Sequence, residues 1–252
     1  MREQVYRDPR PKEFFDPFHA RARTHRPDWV YEAVRIVTTV AAYGLFRLRT
    51  IEADNVPTSG PVIIAPNHFS YMDHFFSAAG IRRKVRFMAK SQLFSGPARH
   101  VYAHGGVFPV RRGERDDEAF ITARTILGNG QVIAMYPEGG RSRTGLLAER
   151  AKPGIGRLAL ESGAPVVPVA IAGSSRVRNW KKLRFPQVTV RYGLPIAFDR
   201  VEEPTREQAQ AVADEIFAAI KTLHGELETR GRRAVAADVR ARRRTARHDT
   251  TT

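Results

Sequence analysis

Residues 62–73 read VIIAPNHFSYMD, an apolar run that ends in a polar cluster. The apolar part, residues 62–65, predicts a buried strand, and the polar part follows where such a strand would turn into a helix. Five positions separate His68 from Asp73, so the carboxylate can reach one ring nitrogen and leave the other facing a substrate. Histidine takes up a proton readily near neutral pH. The pair therefore indicates a general base with an orienting acid, although a capped helix start would explain the same residues without chemistry.

Short β-branched runs alternate with amphipathic stretches on both sides of this cluster, which is typical of an α/β fold. The predicted strands cover residues 62–65, 85–88, 107–110, 132–135, 166–172 and 188–192. The predicted helices cover residues 118–127, 155–162 and 205–227, and the last of them begins with a capping-box pattern made by Thr205 and Gln208. The sequence therefore predicts one domain over residues 50–228, with a central mixed β-sheet flanked by helices.

The composition excludes several classes of site. The chain has no cysteine, which rules out a disulfide scaffold, a thiolate nucleophile and any metal centre with cysteine ligands. Its formal net charge is +16, so we expect attraction to polyanions such as nucleic acid, anionic lipid headgroups or a phosphorylated substrate. Charge alone does not choose among these three.

The two ends of the chain differ from the middle. Residues 1–27 form a polar segment without the apolar core of a secretory signal, so we expect a cytoplasmic protein. Residues 28–49 predict an amphipathic helix that associates with a membrane, since aromatic and arginine residues flank an uncharged run that is too short to span. An ordinary helix packed on the sheet is the alternative. Residues 229–252 are rich in arginine and poor in large apolar residues, which predicts a disordered basic tail.

Two further polar clusters follow apolar runs. Residues 136–142 read YPEGGRS, where two glycines permit a close backbone approach and Arg141 offers a planar fork suited to a phosphate. A turn with an ion pair between Glu138 and Arg141 would explain this cluster equally well. Residues 105–111 read GGVFPVR, a short strand that ends in a cation. Pro109 within that run predicts an edge strand or a bulge.

Taken in order, these three clusters and the run VPVAI at residues 167–171 resemble the four sequence blocks of the glycerolipid acyltransferase family. The resemblance covers about residues 55–191. It implies that an acyl group moves from acyl-CoA or acyl-carrier protein to the free hydroxyl of 1-acyl-glycerol-3-phosphate, giving phosphatidic acid, with no further cofactor. Glycerol 3-phosphate, another lysolipid or a glycolipid would serve as acceptor equally well for the same base.

The resemblance also implies roles for individual residues. His68 would be the general base and Asp73 the acid that orients it. Other members of the blocks would bind or shape the acceptor site, with cations contacting its phosphate. These positions are Lys90, Arg111, Glu138, Gly139, Arg141 and Lys152. Gly140 departs from the family pattern, since a threonine is usual at its position.

Two other interpretations compete with an acyltransferase. A metal site made of His68, Asp73 and His74 has a spacing that matches no known ligand motif. Because His74 is more simply explained as a surface residue of a helix, we predict no metal. A nucleic-acid-binding protein would explain the arginines, but aromatic residues are not interleaved with them and no specific nucleic acid is expected. We predict direct transfer without an acyl-enzyme, because the chain has no Gly-x-Ser-x-Gly elbow. The expected partners are the thioester donor, a lysophospholipid and an anionic membrane surface, which places the protein at the cytoplasmic face of the cell membrane as a peripheral or monotopic protein.

Overall fold

The computed structural model describes residues 8–112, 116–177 and 183–249, without the side chains of residues 246–249. Within those ranges one seven-stranded sheet has the strand order β1-β7-β6-β2-β5-β3-β4. Neighbouring strands are parallel except for the antiparallel pair β6 and β7, so the predicted mixed sheet is confirmed. The strands are β1 Arg49–Ile51, β2 Val62–Pro66, β3 Val85–Lys90, β4 Phe108–Val110, β5 Val132–Ala134, β6 Val166–Ala172 and β7 Thr189–Tyr192. Of these, β1 is absent from the sequence-based prediction.

Helices cover both faces of the sheet. They are α1 Asp16–Thr24, α2 Trp29–Gly44, α3 Asp73–Ala79, α4 Ala98–His104, α5 Asp117–Gly128, α6 Gly154–Ser162 and α7 Arg206–Asp249. Central strand β2 is buried on both faces, which explains its uninterrupted apolar run. Val62 and Ile64 pack in the cluster that includes residues of α2 and α3, whereas Ile63 packs in the cluster that includes α5, α6 and α7.

Strand β4 lies at the edge of the sheet, next to β3. Pro109 stands in this strand, and proline has no backbone N–H to donate to a second neighbour. The prediction that proline marks an edge strand is therefore confirmed. Three-residue strands at both edges, β1 and β4, leave little backbone for pairing with other chains.

The first residues of the described chain are part of the folded domain. Phe15 is buried with Ala89 and Phe94, and Ala22 of α1 is buried in the same cluster as Phe108. The polar composition of residues 1–27 does not predict this packing, because only a few apolar residues, spaced along short helices, are buried. Residues 1–7 lie outside the described ranges.

The prediction of a disordered tail is wrong for residues 229–249. Helix α7 continues through this stretch across a kink at Gly231, whose φ is 74°. Val235, Ala236 and Val239 are buried against Ile51 and other residues of the sheet. Three small apolar residues at helical spacing are enough to dock the helix, although arginine dominates the composition. The predicted capping box at the start of α7 does form, with Gln208 N–H donating to Thr205 Oγ1 at 3.2 Å and Thr205 N–H donating to Gln208 Oε1 at 2.8 Å.

Helix α2 is amphipathic, as the sequence predicts. Its buried side includes Tyr31 and Ala42, and its outer face leaves Trp29, Val37 and Val40 exposed, each by more than two thirds. Within the described ranges, α2 and every other helix are too short or too polar to cross a membrane. The outer face of α2 is therefore an apolar surface that the rest of the described chain does not cover.

Candidate active site

The polar clusters meet at one edge of the sheet. Strands β2, β3, β5 and β6 run parallel, so their carboxyl ends lie on the same side. The loop after β2 carries His68, and the segment after β5 carries Glu138 and Arg141. This edge is where α/β sheets usually bind ligands, because loops from several strands converge there.

His68 and Asp73 form a buried hydrogen-bonded pair. His68 Nδ1 lies 3.0 Å from Asp73 Oδ2, and that same oxygen accepts the backbone N–H groups of Phe69 at 2.7 Å and Ser70 at 2.6 Å. Asp73 is fully buried and begins α3. Two backbone bonds fix the carboxylate, and the carboxylate in turn fixes the ring. Nε2 is therefore the ring nitrogen that remains for another partner.

Two side chains fix the backbone of the loop. Asn67 bridges to β6, where its Nδ2 donates to the Ile171 carbonyl at 3.1 Å and its Oδ1 accepts the Ile171 N–H at 2.6 Å. Glu138 bridges to the neighbouring loop, accepting the His68 N–H at 2.8 Å and the Ala148 N–H at 3.2 Å. Both Glu138 oxygens thus bind backbone, and burial raises the pKa of this carboxyl above its ordinary value. Glu138 shapes the site through its effect on the loop.

Two aromatic side chains flank the His68 ring. Tyr136 stacks on it with ring centroids 4.0 Å apart, and His74 stacks with centroids 5.2 Å apart. The Tyr136 hydroxyl lies 2.5 Å from His74 Nδ1. Burial lowers the pKa of His74 to about 3, assisted by the charges of His68, Arg112 and Arg141. Burial also raises the pKa of Tyr136, so the phenol donates to a neutral imidazole that carries its proton on Nε2.

An apolar cavity of about 520 Å³ opens beside His74. It lies between the inner side of α2, α3 and strand β3, with Thr38, Phe75 and Phe87 among its lining residues. Lys90 and Arg35 are the cations that line it. The cavity has the size of a small-molecule or lipid-chain site, and its apolar wall suits a hydrocarbon.

Two of the predicted substrate-binding residues lie at the site or its cavity, and two others form the turn beside it. Arg141 lies at the site, with its guanidinium carbon 3.5 Å from the centroid of the Tyr71 ring, and Lys90 lines the cavity. Gly139 has a φ of +66°, and an added Cβ would lie 3.0 Å from Lys152 Cγ. Lys152 holds this turn through its N–H bond to the Pro137 carbonyl at 2.8 Å, while its side chain is exposed.

Arg111 is bound by residues on both sides of it in the chain. Its Nη2 donates to the Asp8 carbonyl at 3.4 Å, and its N–H donates to Asp116 at 2.6 Å. The next residue, Arg112, brings charge to the site instead, since it contributes to the lowered pKa of His74 and lies 3.8 Å from a Cβ placed on Gly140. Phosphate binding by Arg111 stays a prediction.

Sequence reasoning missed Asn67, Tyr136 and Arg112 as members of the site, and treated His74 as a surface residue. The signal for Asn67 and Tyr136 was present, because each adjoins a predicted site residue at the end of a strand. His74 follows Asp73 directly, yet only the fold reveals its contact with Tyr136. Among the described residues, no group of three or more histidine and carboxylate side chains is arranged to hold a metal ion.

The sequence matches a family model and several characterised relatives. The sequence model of the family described as Acyltransferase matches residues 47–172. The chain is 24% identical over 167 residues to the chloroplastic 1-acyl-sn-glycerol-3-phosphate acyltransferase LPAT1 of Arabidopsis thaliana, covering 65% of this chain and 44% of that protein. For the Bacillus subtilis 1-acyl-sn-glycerol-3-phosphate acyltransferase the identity is 24%, over 72% of this chain and 90% of the relative. For the human beta form the identity is 32%, over 59% and 54% respectively.

The fold is similar to a solved structure. The crystal structure of the 1-acyl-sn-glycerophosphate acyltransferase PlsC from Thermotoga maritima superposes with a TM-score of 0.63 at 22% sequence identity. The match covers 86% of this chain and 89% of the other. This likeness supports the fold. The chain spans about half the length of several curated relatives that it matches.

Proposed function

The chain belongs to the acyltransferase family that its residues 47–172 match, and we propose that it acylates the free hydroxyl of 1-acyl-glycerol-3-phosphate to give phosphatidic acid. The donor is a thioester, either acyl-CoA or acyl-carrier protein. The observation that carries this proposal is the buried His68–Asp73 pair, joined by a 3.0 Å hydrogen bond beside an apolar cavity. The acceptor named for the related enzymes supports the choice of 1-acyl-glycerol-3-phosphate.

The pair suits direct transfer from a thioester to an alcohol. His68 Nε2 takes the proton of the acceptor hydroxyl while the oxygen of that hydroxyl attacks the thioester carbon. The carbon–sulfur bond then breaks, and the protonated imidazole returns its proton to the leaving thiolate. The Nδ1–H bond to Asp73 holds the ring in the tautomer that this step needs and stabilises the imidazolium. No covalent acyl-enzyme is formed in this scheme.

His74 supports the charge change at His68. Because burial keeps the His74 ring neutral, no second imidazolium stands against the one that forms on His68. Tyr136 secures this arrangement by donating to His74 Nδ1 while its ring packs on His68. These two residues are positioning residues, since they act through His68.

The cavity supports a fatty acyl substrate. Its wall is formed mainly by apolar side chains, among them Val34 of α2, Phe75 of α3 and Phe87 of β3. Each methylene group that leaves water for such a wall contributes about 0.8 kcal/mol. A chain bound there ends beside His74, and hence next to the His68 ring.

Three cations support a phosphorylated acceptor. Lys90 lines the cavity, and the charges of Arg112 and Arg141 both reach His74. Arg141 is placed by its stacking on Tyr71, which keeps a planar guanidinium oriented for a phosphate. A phosphate bound among these groups would leave the glycerol hydroxyl within reach of His68.

A membrane location follows from the same chemistry, because lysophosphatidate and phosphatidic acid reside in a bilayer. The exposed apolar face of α2 supports a peripheral or monotopic contact. This contact brings the cavity, whose wall includes the inner side of α2, close to the lipid phase.

A substrate panel tests the proposal. Purified protein is offered acyl-CoA or acyl-carrier protein donors with 1-acyl-glycerol-3-phosphate, glycerol 3-phosphate, a neutral lysolipid or a glycolipid. We expect the highest kcat/KM with 1-acyl-glycerol-3-phosphate. Preference for another acceptor would leave the family assignment unchanged but show that the proposed acceptor is wrong. Mass spectrometry of enzyme quenched during turnover should find no acylated residue, and a trapped acyl-enzyme would contradict direct transfer.

A further inference from the structure

Four arginines gather where α7 bends at Gly231. We call Arg47, Arg49, Arg232 and Arg233 the arginine cluster. Arg232 Nη1 donates to the Arg47 carbonyl at 2.9 Å, which ties α7 to the segment before β1. Burial lowers the pKa of Arg232, and the charges of Arg49, Arg233 and Arg47 lower it further. Four cations from two distant parts of the chain are therefore close enough to repel one another.

The arginine cluster has no acidic counterpart. None of its four members pairs with a carboxylate within the part of the chain that the structure describes. Nearby arginines differ, since Arg191 pairs with Glu52 and Glu226, and Arg243 pairs with Asp54. The fold thus neutralises the surrounding cations and leaves this cluster positive, an arrangement that favours a bound anion.

The location of the cluster identifies the kind of anion. Strand β1 is parallel to β7, and β7 is antiparallel to β6, so β1 begins at the edge where β2 and β6 end. That is the edge that carries His68. Arg47 also follows α2 directly, and the exposed apolar side chains of α2 continue to Tyr43 and Leu45. The arginine cluster therefore lies at the active-site edge of the sheet, next in the chain to the exposed apolar residues at the end of α2.

We propose that the arginine cluster binds the phosphates of anionic phospholipids while the outer face of α2 enters the same bilayer. The inference deepens the proposed function, on which its purpose rests, by identifying how the active-site edge is held against the membrane. The kinked end of α7 has a role here, because it supplies Arg232 and Arg233 and is docked by Val235, Ala236 and Val239. Basic residues near an anionic surface and apolar residues in its interface add their contributions.

Vesicle flotation with the full chain tests the proposal. The two probes are vesicles of phosphatidylcholine alone and vesicles in which phosphatidylglycerol replaces roughly a third of the lipid. The variant Arg49→Gln/Arg233→Gln removes two guanidinium groups that make no hydrogen bond to other described residues. At about 1 kcal/mol per arginine, we expect its affinity for the anionic vesicles to fall by about thirtyfold. Binding to phosphatidylcholine alone should be weak and unchanged.

A matched variant separates location from net charge. Arg200→Gln/Arg206→Gln removes two exposed arginines beyond the end of β7, at the opposite edge of the sheet. We expect its affinity for anionic vesicles to stay within about twofold of the unmodified chain. The variant Arg49→Lys/Arg233→Lys keeps the charges and should retain most of the binding. Circular dichroism and urea unfolding establish that all variants are folded.

Several results would overturn the proposal. These are an equal loss in the two glutamine variants, no loss in either, or vesicle binding displaced by free glycerol phosphate. Affinity for a short DNA duplex that exceeds affinity for vesicles, and that falls in the cluster variant, would assign the surface to nucleic acid instead. Flotation measures vesicle binding without enzyme turnover. If vesicle binding depended on the arginine cluster but the protein showed no acyl transfer, only the proposed function would be refuted.

Discussion

The loop after β2 and the segment after β4 both follow parallel strands at the same edge of the sheet, yet they are fixed in different ways. In the first, the hydrogen bond to the His68 ring comes from Asp73, five residues away, while the distant Glu138 binds the backbone of the loop. In the second, Arg111 is directed by Asp8, which lies 103 residues away in the chain. Side chains fixed within their own segment can be located from sequence, whereas those directed by a distant segment require the fold.

Among the substitutions that compare these two regions, Asp73→Asn should have the strongest effect. The neutral amide oxygen is a weaker acceptor than the carboxylate for these three hydrogen bonds, and it leaves His68 without its orienting charge. We expect kcat to fall by about 10³-fold with little change in KM. The matched control is Asp116→Asn in the segment after β4, where Asp116 accepts the N–H groups of Arg111 and Ala119. Comparable losses in both variants would erase the difference between the two regions.

The second prediction concerns acid stability. In the folded protein the pKa of His74 is lowered to about 3, whereas the ordinary value is 6.5. The unfolded chain therefore binds the extra proton first, and His74 contributes stability that is present above pH 6.5 and is lost as the pH falls toward 3. His74→Asn keeps an acceptor for Tyr136 and removes the titration. Between about pH 7.5 and about pH 5, the free energy of unfolding measured with urea should decrease less in the variant than in the wild type. An unchanged loss would mean that His74 is not held neutral.

The third prediction concerns the support of the loop after β2. Glu138→Ala leaves the N–H groups of His68 and Ala148 without their carboxylate partner. We expect the free energy of unfolding to fall by about 3 kcal/mol, measured by urea denaturation. Glu149→Ala, at an exposed neighbouring position, should change it by less than about 0.5 kcal/mol. If Glu138→Ala were as stable as Glu149→Ala, the loop would not depend on this bridge.

The smallest effect separates the two cations after β4. Arg112→Ala should raise KM for 1-acyl-glycerol-3-phosphate by about tenfold, because its charge reaches the site and one charged contact with a phosphate has that magnitude. Arg111→Ala should raise it by less than about threefold, since its guanidinium contacts Asp8. Steady-state kinetics at varied concentrations of 1-acyl-glycerol-3-phosphate will give KM for both variants. The opposite order would favour the assignment based on family resemblance.

Prediction from sequence succeeded where the signal was local. The apolar run of β2 and the proline of β4 placed a central and an edge strand correctly, because burial on two faces and a missing N–H are properties of single segments. The capping box of α7 is local in the same sense. The pairing of His68 with Asp73 was also predictable, since one turn separates them.

Prediction failed where distant segments decide. The end of α7 is helical because Val235 and Val239 find a surface on the sheet, and composition does not reveal that surface. The stacking of Tyr136 on His68 depends on β5 lying beside β2, which is a property of the strand order. The arginine cluster likewise exists only because α7 returns to the start of β1.

In the proposed reaction, His68 removes the proton of a lysophosphatidate hydroxyl during acyl transfer. The most direct test measures formation of phosphatidic acid from acyl-CoA and 1-acyl-glycerol-3-phosphate by wild type and by His68→Ala. We expect the alanine variant to retain its fold and its vesicle binding but to lose about 10³-fold or more in kcat. A His68→Ala protein as active as wild type would show that His68 is not the general base.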